Sequence, residues 1–97
     1  MRIVSIKALR EFWEQHADSE FALRAWYHDA KRSSWRSFEH IKKCHRNADC
    51  LAGNRVIFNI KGNHYRLVVQ IHYNSGRVFI RFIGTHAEYD KINAETI

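Results

Sequence analysis

The stretch RVIFNIKGNHYRLVVQIHYNSGRVFIRFI, residues 55–83, decides the fold. Three extended runs, 55–60, 65–73 and 77–83, are parted by Lys61-Gly62-Asn63-His64 and by Asn74-Ser75-Gly76. Gly and Asn at both junctions supply the positive-φ positions that tight hairpins need, so the segment predicts an antiparallel meander. Successive side chains of a strand point to opposite faces. Tyr65, Leu67, Val69, Ile71 and Tyr73 therefore share one face, against His64, Arg66, Val68, Gln70 and His72. In the third run Val78, Ile80 and Phe82 oppose Arg77, Phe79, Arg81 and Ile83. The apolar sets need a cover, and the mixed face keeps both internal arginines.

The cover lies upstream. Residues 2–5 read as a short strand that leads almost directly into a helix. From Ile6 the apolar positions Leu9, Trp13 and Ala17 recur every three or four residues, with Phe12 widening the stripe. Asp18 or Ser19 is expected to cap a second helix whose buried stripe is Ala22, Leu23, Trp26 and Ala30. Ser37 starts a short helix through Phe38, Ile41 and Cys44, while Trp35 and Phe38 pin the intervening loop. Residues 46–49 read as connection up to the Gly53-Asn54 turn. After Gly84 a polar tail forms one helical turn or an edge segment. The fold class is α+β: two N-terminal helices packed on a small twisted antiparallel sheet, in one domain spanning residues 1–97.

With 97 residues, 45% of them apolar, the chain can bury one core without staples. Its two cysteines, Cys44 and Cys50, make no disulfide framework. Lys7, Arg10, Glu11 and Glu14 precede any long apolar run, which predicts neither a signal peptide nor a membrane span. A cytoplasmic location is expected by elimination. The formal charge of +6 is unevenly spread: residues 51–87 hold Arg55, Lys61, Arg66, Arg77 and Arg81 and no Asp or Glu. Such a balance favours a polyanionic partner and fast encounter with it, although it also serves solubility.

Arg66 and Arg81 stand mid-strand, and the turn lengths place them close together on one surface. Neighbouring guanidiniums repel unless an anion sits between them, and a phosphate matches their N–H forks. The plainer alternative is two arginines whose stems cover apolar sheet. His86 and Tyr89, three residues apart, share a side if they occupy a helical turn. RNA cleavage by the 2′-OH needs proton transfer and positive charge at the phosphorane. Histidine suits the first task near neutrality, and Tyr89 suits proton donation, phosphate binding or base stacking, or simply caps the core. Lys61 and His64 flank the first hairpin turn, and with Arg55 and Arg77 they are candidate RNA contacts. A turn lysine is more commonly solvent decoration. Asp90 either orients His86 or neutralises Lys91.

Other chemistries fare worse. His40, Cys44, His45 and Cys50 fall within eleven residues, but their spacing matches no common structural zinc site, and Cys44 is expected in the core. No Gly-rich nucleotide loop or G-x-S-x-G elbow occurs, and no paired carboxylates lie in the basic half. Neither metal nor cofactor is expected. A binding module without turnover, or an interaction domain receiving an acidic segment, remains open from the residues alone.

Asn54-Arg55-Val56-Ile57-Phe58-Asn59-Ile60-Lys61-Gly62-Asn63-His64-Tyr65-Arg66-Leu67 and Ile80-Arg81-Phe82-Ile83-Gly84-Thr85-His86-Ala87-Glu88-Tyr89-Asp90-Lys91 strongly resemble the HigB family of toxins from bacterial type II toxin–antitoxin modules. The resemblance implies a RelE-like fold and an mRNA interferase that cuts transcripts in the ribosomal decoding site without metal or cofactor. It implies a HigA-like antitoxin with a helix-turn-helix domain, whose complex with the toxin binds operator DNA and represses the promoter. On the family view Arg66 and Arg81 are phosphate and transition-state groups, His86 and Tyr89 proton-transfer or stacking groups, and Lys61 an auxiliary.

Overall fold

The computed structural model describes all of residues 1–97. In chain order the elements are β1 (Arg2–Val4), α1 (Ile6–Gln15), a 3-10 turn (Ala17–Ser19), α2 (Glu20–Arg32), α3 (Phe38–Cys44), β2 (Asp49–Leu51), β3 (Arg55–Ile60), β4 (Tyr65–His72), β5 (Arg77–Thr85) and α4 (His86–Tyr89). The chain is α+β, with the helices α1 and α2 and the meander β3–β4–β5 where the periodicities put them.

Two elements differ from expectation. The sheet is mixed, not purely antiparallel: its order is β1-β5-β4-β3-β2, and β1 lies parallel to β5 with Arg2 opposite Arg77. Alternation reveals a strand's faces but carries no information about its direction. Residues 49–51 form the edge strand β2, with Cys50 opposite Val56, where a connection was expected. Three residues are too few to show a period.

The core forms where the helices meet the sheet. Ser5 caps α1 by accepting from the Lys7 N–H at 3.2 Å, and the helix sends Leu9 and Trp13 inward. From α2 come Leu23, Trp26 and Ala30, and from the sheet Val56, Phe58, Leu67, Val69, Ile71 and Val78. Burying each of the larger side chains stabilises the fold by roughly 1.5–3 kcal/mol. Ser19 occupies the N-cap position of α2, but its hydroxyl donates to the His16 carbonyl at 2.7 Å. Trp35 is buried and Phe38 half-buried, so the loop before α3 is pinned as expected. Cys44 is exposed, because Ile41 takes the inward position of its short helix.

The alternation of β5 breaks once. Val69 pairs with Ile80 and Val68 with Phe82, which leaves Arg81 as an extra residue in a β-bulge. Phe82 consequently points away from the helices and packs with Val68, while Ile83 joins the helix-side core. That reverses the faces expected for these two residues. The face away from the helices is also less open than expected: Ala94 is buried with Ile57 and Val68, and Leu51, Ile92 and Ile97 pack around them. No helix is long and apolar enough to cross a membrane.

Candidate active site

The end of β5 determines the site. Gly84 lies opposite Arg66 of β4, and a Cβ added to it would stand 2.5 Å from Phe82 Cζ and 3.1 Å from Glu88 Oε1. The missing side chain lets the Phe82 ring and the first turn of α4 close over the strand. Thr85 then starts that turn with a reciprocal cap: its Oγ1 accepts from the Glu88 N–H at 3.2 Å, and Glu88 Oε1 accepts from the Thr85 N–H at 2.8 Å. The backbone hydrogen bond from Thr85 holds the Glu88 carboxyl below its ordinary value.

This turn delivers His86 and Tyr89 to Arg66. The guanidinium Nη2 lies 2.8 Å and Nε 3.2 Å from His86 Nε2, and its central carbon is 5.0 Å from the Tyr89 ring centroid. Arginine only donates, so His86 presents the Nε2 lone pair and carries its proton on Nδ1. The cation stacked on Tyr89 is held by electrostatic attraction to the ring face. Phe82 lies against the same tyrosine, with ring centroids 6.4 Å apart. Arg66 and the sequence-distant pair His86 and Tyr89 thus form one contiguous cluster on the face away from the helices.

Arg81 shares that face but not that cluster. Its Nη2 donates to Gln70 Oε1 at 2.7 Å, and its guanidinium carbon lies 5.6 Å from the Phe79 ring centroid. The apolar Val68–Phe82 pair intervenes, so the two arginines are farther apart than the about 7 Å of diagonal neighbours. The close approach inferred from turn lengths fails because the bulge carries Arg81 along the strand.

The other basic candidates scatter. Lys61 turns to the helix side and pairs with Asp18 Oδ2 at 2.8 Å, while the Tyr65 hydroxyl donates to Asp18 Oδ1 at 2.5 Å. These bonds, Lys61 first, hold the Asp18 carboxyl below its ordinary value, and Asp18 in turn pushes the Tyr65 phenol up. His64 lies exposed in the turn, with Nδ1 2.9 Å from the Lys61 carbonyl. Arg55 donates from Nη2 and Nε to the Ile97 carbonyl at 2.6 and 3.1 Å. Arg77 lies opposite His72, six residues along β4 from Arg66 and so about 20 Å away. Asp90 bonds His86 only through the backbone.

One residue of this neighbourhood escaped the sequence reading. Asn59 of β3 lies directly opposite Arg66 on its other flank, and its buried Oδ1 has no hydrogen-bond partner. Alternation within β3 held the signal, since Arg55, Ile57 and Asn59 oppose Val56, Phe58 and Ile60. Elsewhere, His45 packs edge-on against Phe58 and Trp35, and burial pushes its imidazole down. No group of three or more His, Cys, Asp or Glu side chains converges as a metal site would require.

A family model described as HigB_toxin, the RelE-like toxic component of a toxin–antitoxin system, matches residues 19–92. The chain is 26% identical to the mRNA interferase HigB of Escherichia coli O6:H1 (strain CFT073) over 94 residues, covering 95% of this chain and 91% of that one. It is likewise 26% identical over 96 residues to the mRNA interferase toxin HigB of Escherichia coli K12 and to the mRNA interferase HigB of Shigella flexneri. Each of these alignments covers 97% of this chain and 92% of the relative.

Proposed function

The chain belongs to the HigB family of RelE-like toxins, and from that membership we propose that it is an mRNA endoribonuclease acting through Arg66, His86 and Tyr89. The observation that carries the reading is the two-pronged contact of Arg66 with the His86 Nε2 lone pair beside the Tyr89 ring. It couples a phosphate-binding group directly to a proton acceptor. The 26% identical relatives named as mRNA interferases support the substrate class.

In this reading an RNA phosphate draws the N–H fork of Arg66 to itself and frees His86 Nε2. The imidazole takes the proton of the 2′-OH as that oxygen attacks phosphorus. The bond to the 5′-oxygen breaks, a proton returns to it from His86 or the Tyr89 hydroxyl, and the products are a 2′,3′-cyclic phosphate and a 5′-OH. Arg66 stabilises the charge that gathers on the phosphorane, and Arg81, released from Gln70, holds the strand one step along. The donors at hand are nitrogen bases and a phenol, while Glu88 is committed to its cap. That set suits proton transfer without a metal. Ordering of the RNA for in-line attack completes the mechanism, and the ribosomal decoding site is the proposed place for it. An antitoxin with a helix-turn-helix domain is the proposed partner, its toxin complex repressing their promoter in the cytoplasm.

Induced expression of wild type beside Arg66→Ala and His86→Ala, with transcript 5′ ends and codon frame mapped, tests the proposal. Cuts bearing 5′-OH ends in the wild type alone are expected. Ends carrying 5′-phosphate, formed only with Mg²⁺, would overturn the mechanism.

A further inference from the structure

The side of Arg66 away from His86 is where the known features stop and an unexplained one begins. Asn59 faces Arg66 across the β3–β4 ladder, so the two side chains stand one strand spacing, about 5 Å, apart on the same face. Nothing in the protein satisfies its buried Oδ1. A buried acceptor without a donor costs the fold about 1–3 kcal/mol, so its presence beside reactive groups calls for a ligand that supplies the donor. Beyond Asn59, at the edge of β3, opens a groove of about 570 Å³ without a hydrophobic residue in its lining. β2 ends its pairing with β3 at Asp49 opposite Ile57, so no strand pairs with β3 beside Asn59. Asn47, Asn63 and Asp49 line this groove with Arg46.

We infer that this groove is the nucleobase-binding subsite of the same active site, and that Asn59 reads the hydrogen-bonding edge of the base next to the phosphate held by Arg66. Carboxamides offer a donor and an acceptor side by side, which is what a base edge presents. Apolar and aromatic walls are absent, so the base is held by hydrogen bonds and not by stacking. The groove adjoins Arg66 through Asn59 itself, within the reach of one nucleotide from phosphate to base. Asp49 selects donors on the base edge, and Arg46 screens the neighbouring phosphate. The inference deepens the endoribonuclease reading and rests on it for the position of the phosphate.

Binding of four single-stranded RNA homopolymers (A, C, G and U, with 2′-O-methyl sugars that block cleavage) tests the inference in solution. The wild type is expected to rank the four bases across about tenfold in affinity, the discrimination of one good base-edge contact. Asn59→Ala is expected to collapse that range towards equality while its melting temperature holds or rises, because an unpaired acceptor has been removed. Asn59→Val, a residue suited to a strand, is expected to do the same and guards against a folding artefact. Arg66→Ala, by contrast, weakens all four alike and preserves their order. A wild type that binds the four equally, or Asn59 variants that keep its ranking, would overturn the subsite. Failure of the wild type to cut transcripts would instead strike the endoribonuclease reading, and the binding ranking would still decide the subsite.

Discussion

Removing the Arg66 guanidinium takes away the N–H fork that contacts His86 and, in the proposed mechanism, the phosphate, and a lysine at that position restores only a point charge. Arg66→Ala and Arg66→Lys should both lower single-turnover cleavage by about 10²–10³-fold, the cost of losing a transition-state donor. Rates near wild type for the lysine variant would show that charge alone suffices. Gly84 is a second sensitive residue for a steric reason. An alanine methyl there falls 2.5 Å from the Phe82 ring, so Gly84→Ala should destabilise by about 1–3 kcal/mol, read as a lowered melting temperature. The candidate cluster was legible at the level of single residues: Arg66 from its mid-strand position, His86 and Tyr89 from their spacing. Asn59 was not, because an asparagine on a solvent-facing strand position looks ordinary until its partner is sought and found missing.

Among the elements, α4 is the smallest and the most consequential. Four residues cannot sustain a helix alone, and the Thr85–Glu88 box compensates. Thr85→Ala should cost about 1 kcal/mol and loosen the Arg66–His86 contact, so cleavage should fall while the far end of the sheet keeps its hydrogen-exchange protection. The same box gives a pH dependence. Glu88 titrates below its ordinary value in the folded chain, so its stabilisation is complete above that value and drains away as pH falls through the lower one. α3 responds at a milder pH. Burial depresses the His45 imidazole, so the stability it allows is present above its ordinary value of 6.5 and lost on acidification. The melting temperature should drop as pH falls below about 6.5, and His45→Phe should remove part of that drop. Periodicity made the long elements readable, since α1, α2, β3 and β4 each show several repeats. β2 and the direction of β1 were hidden, the first by its length and the second because pairing partners are set by tertiary packing. Phe82 and Ile83 were misassigned for one reason: a bulge leaves no mark in composition.

Across the whole molecule, the cations of the acid-free span are divided between the two faces and the two ends of the sheet. The acid-free span 51–87 supplies most of the sheet, yet Asp18 from the helical layer reaches over to occupy Lys61. Arg55 is turned to the Ile97 carbonyl and Arg77 lies at the far end, so the cations facing the candidate site are fewer than the sequence count implies. Binding of uncleavable single-stranded RNA should weaken with salt by about 0.7 log units per log unit for each phosphate contacted. Arg66→Ala should reduce that slope by about one contact, whereas Arg77→Ala should leave it nearly unchanged. An equal loss for both would mean that the strand runs the length of the sheet.

The bulge gives β5 slack, one tooth more than the ratchet of β4 can engage. A chain with Arg81 deleted should still set Phe82 against Val68 and Gly84 against Arg66, melting close to wild type. Deleting Ile80 instead would drag a guanidinium into the oily interior and should abolish folding. The spare position is therefore where insertions and losses can be absorbed without moving His86, and the side chain it carries is held to the surface by Gln70.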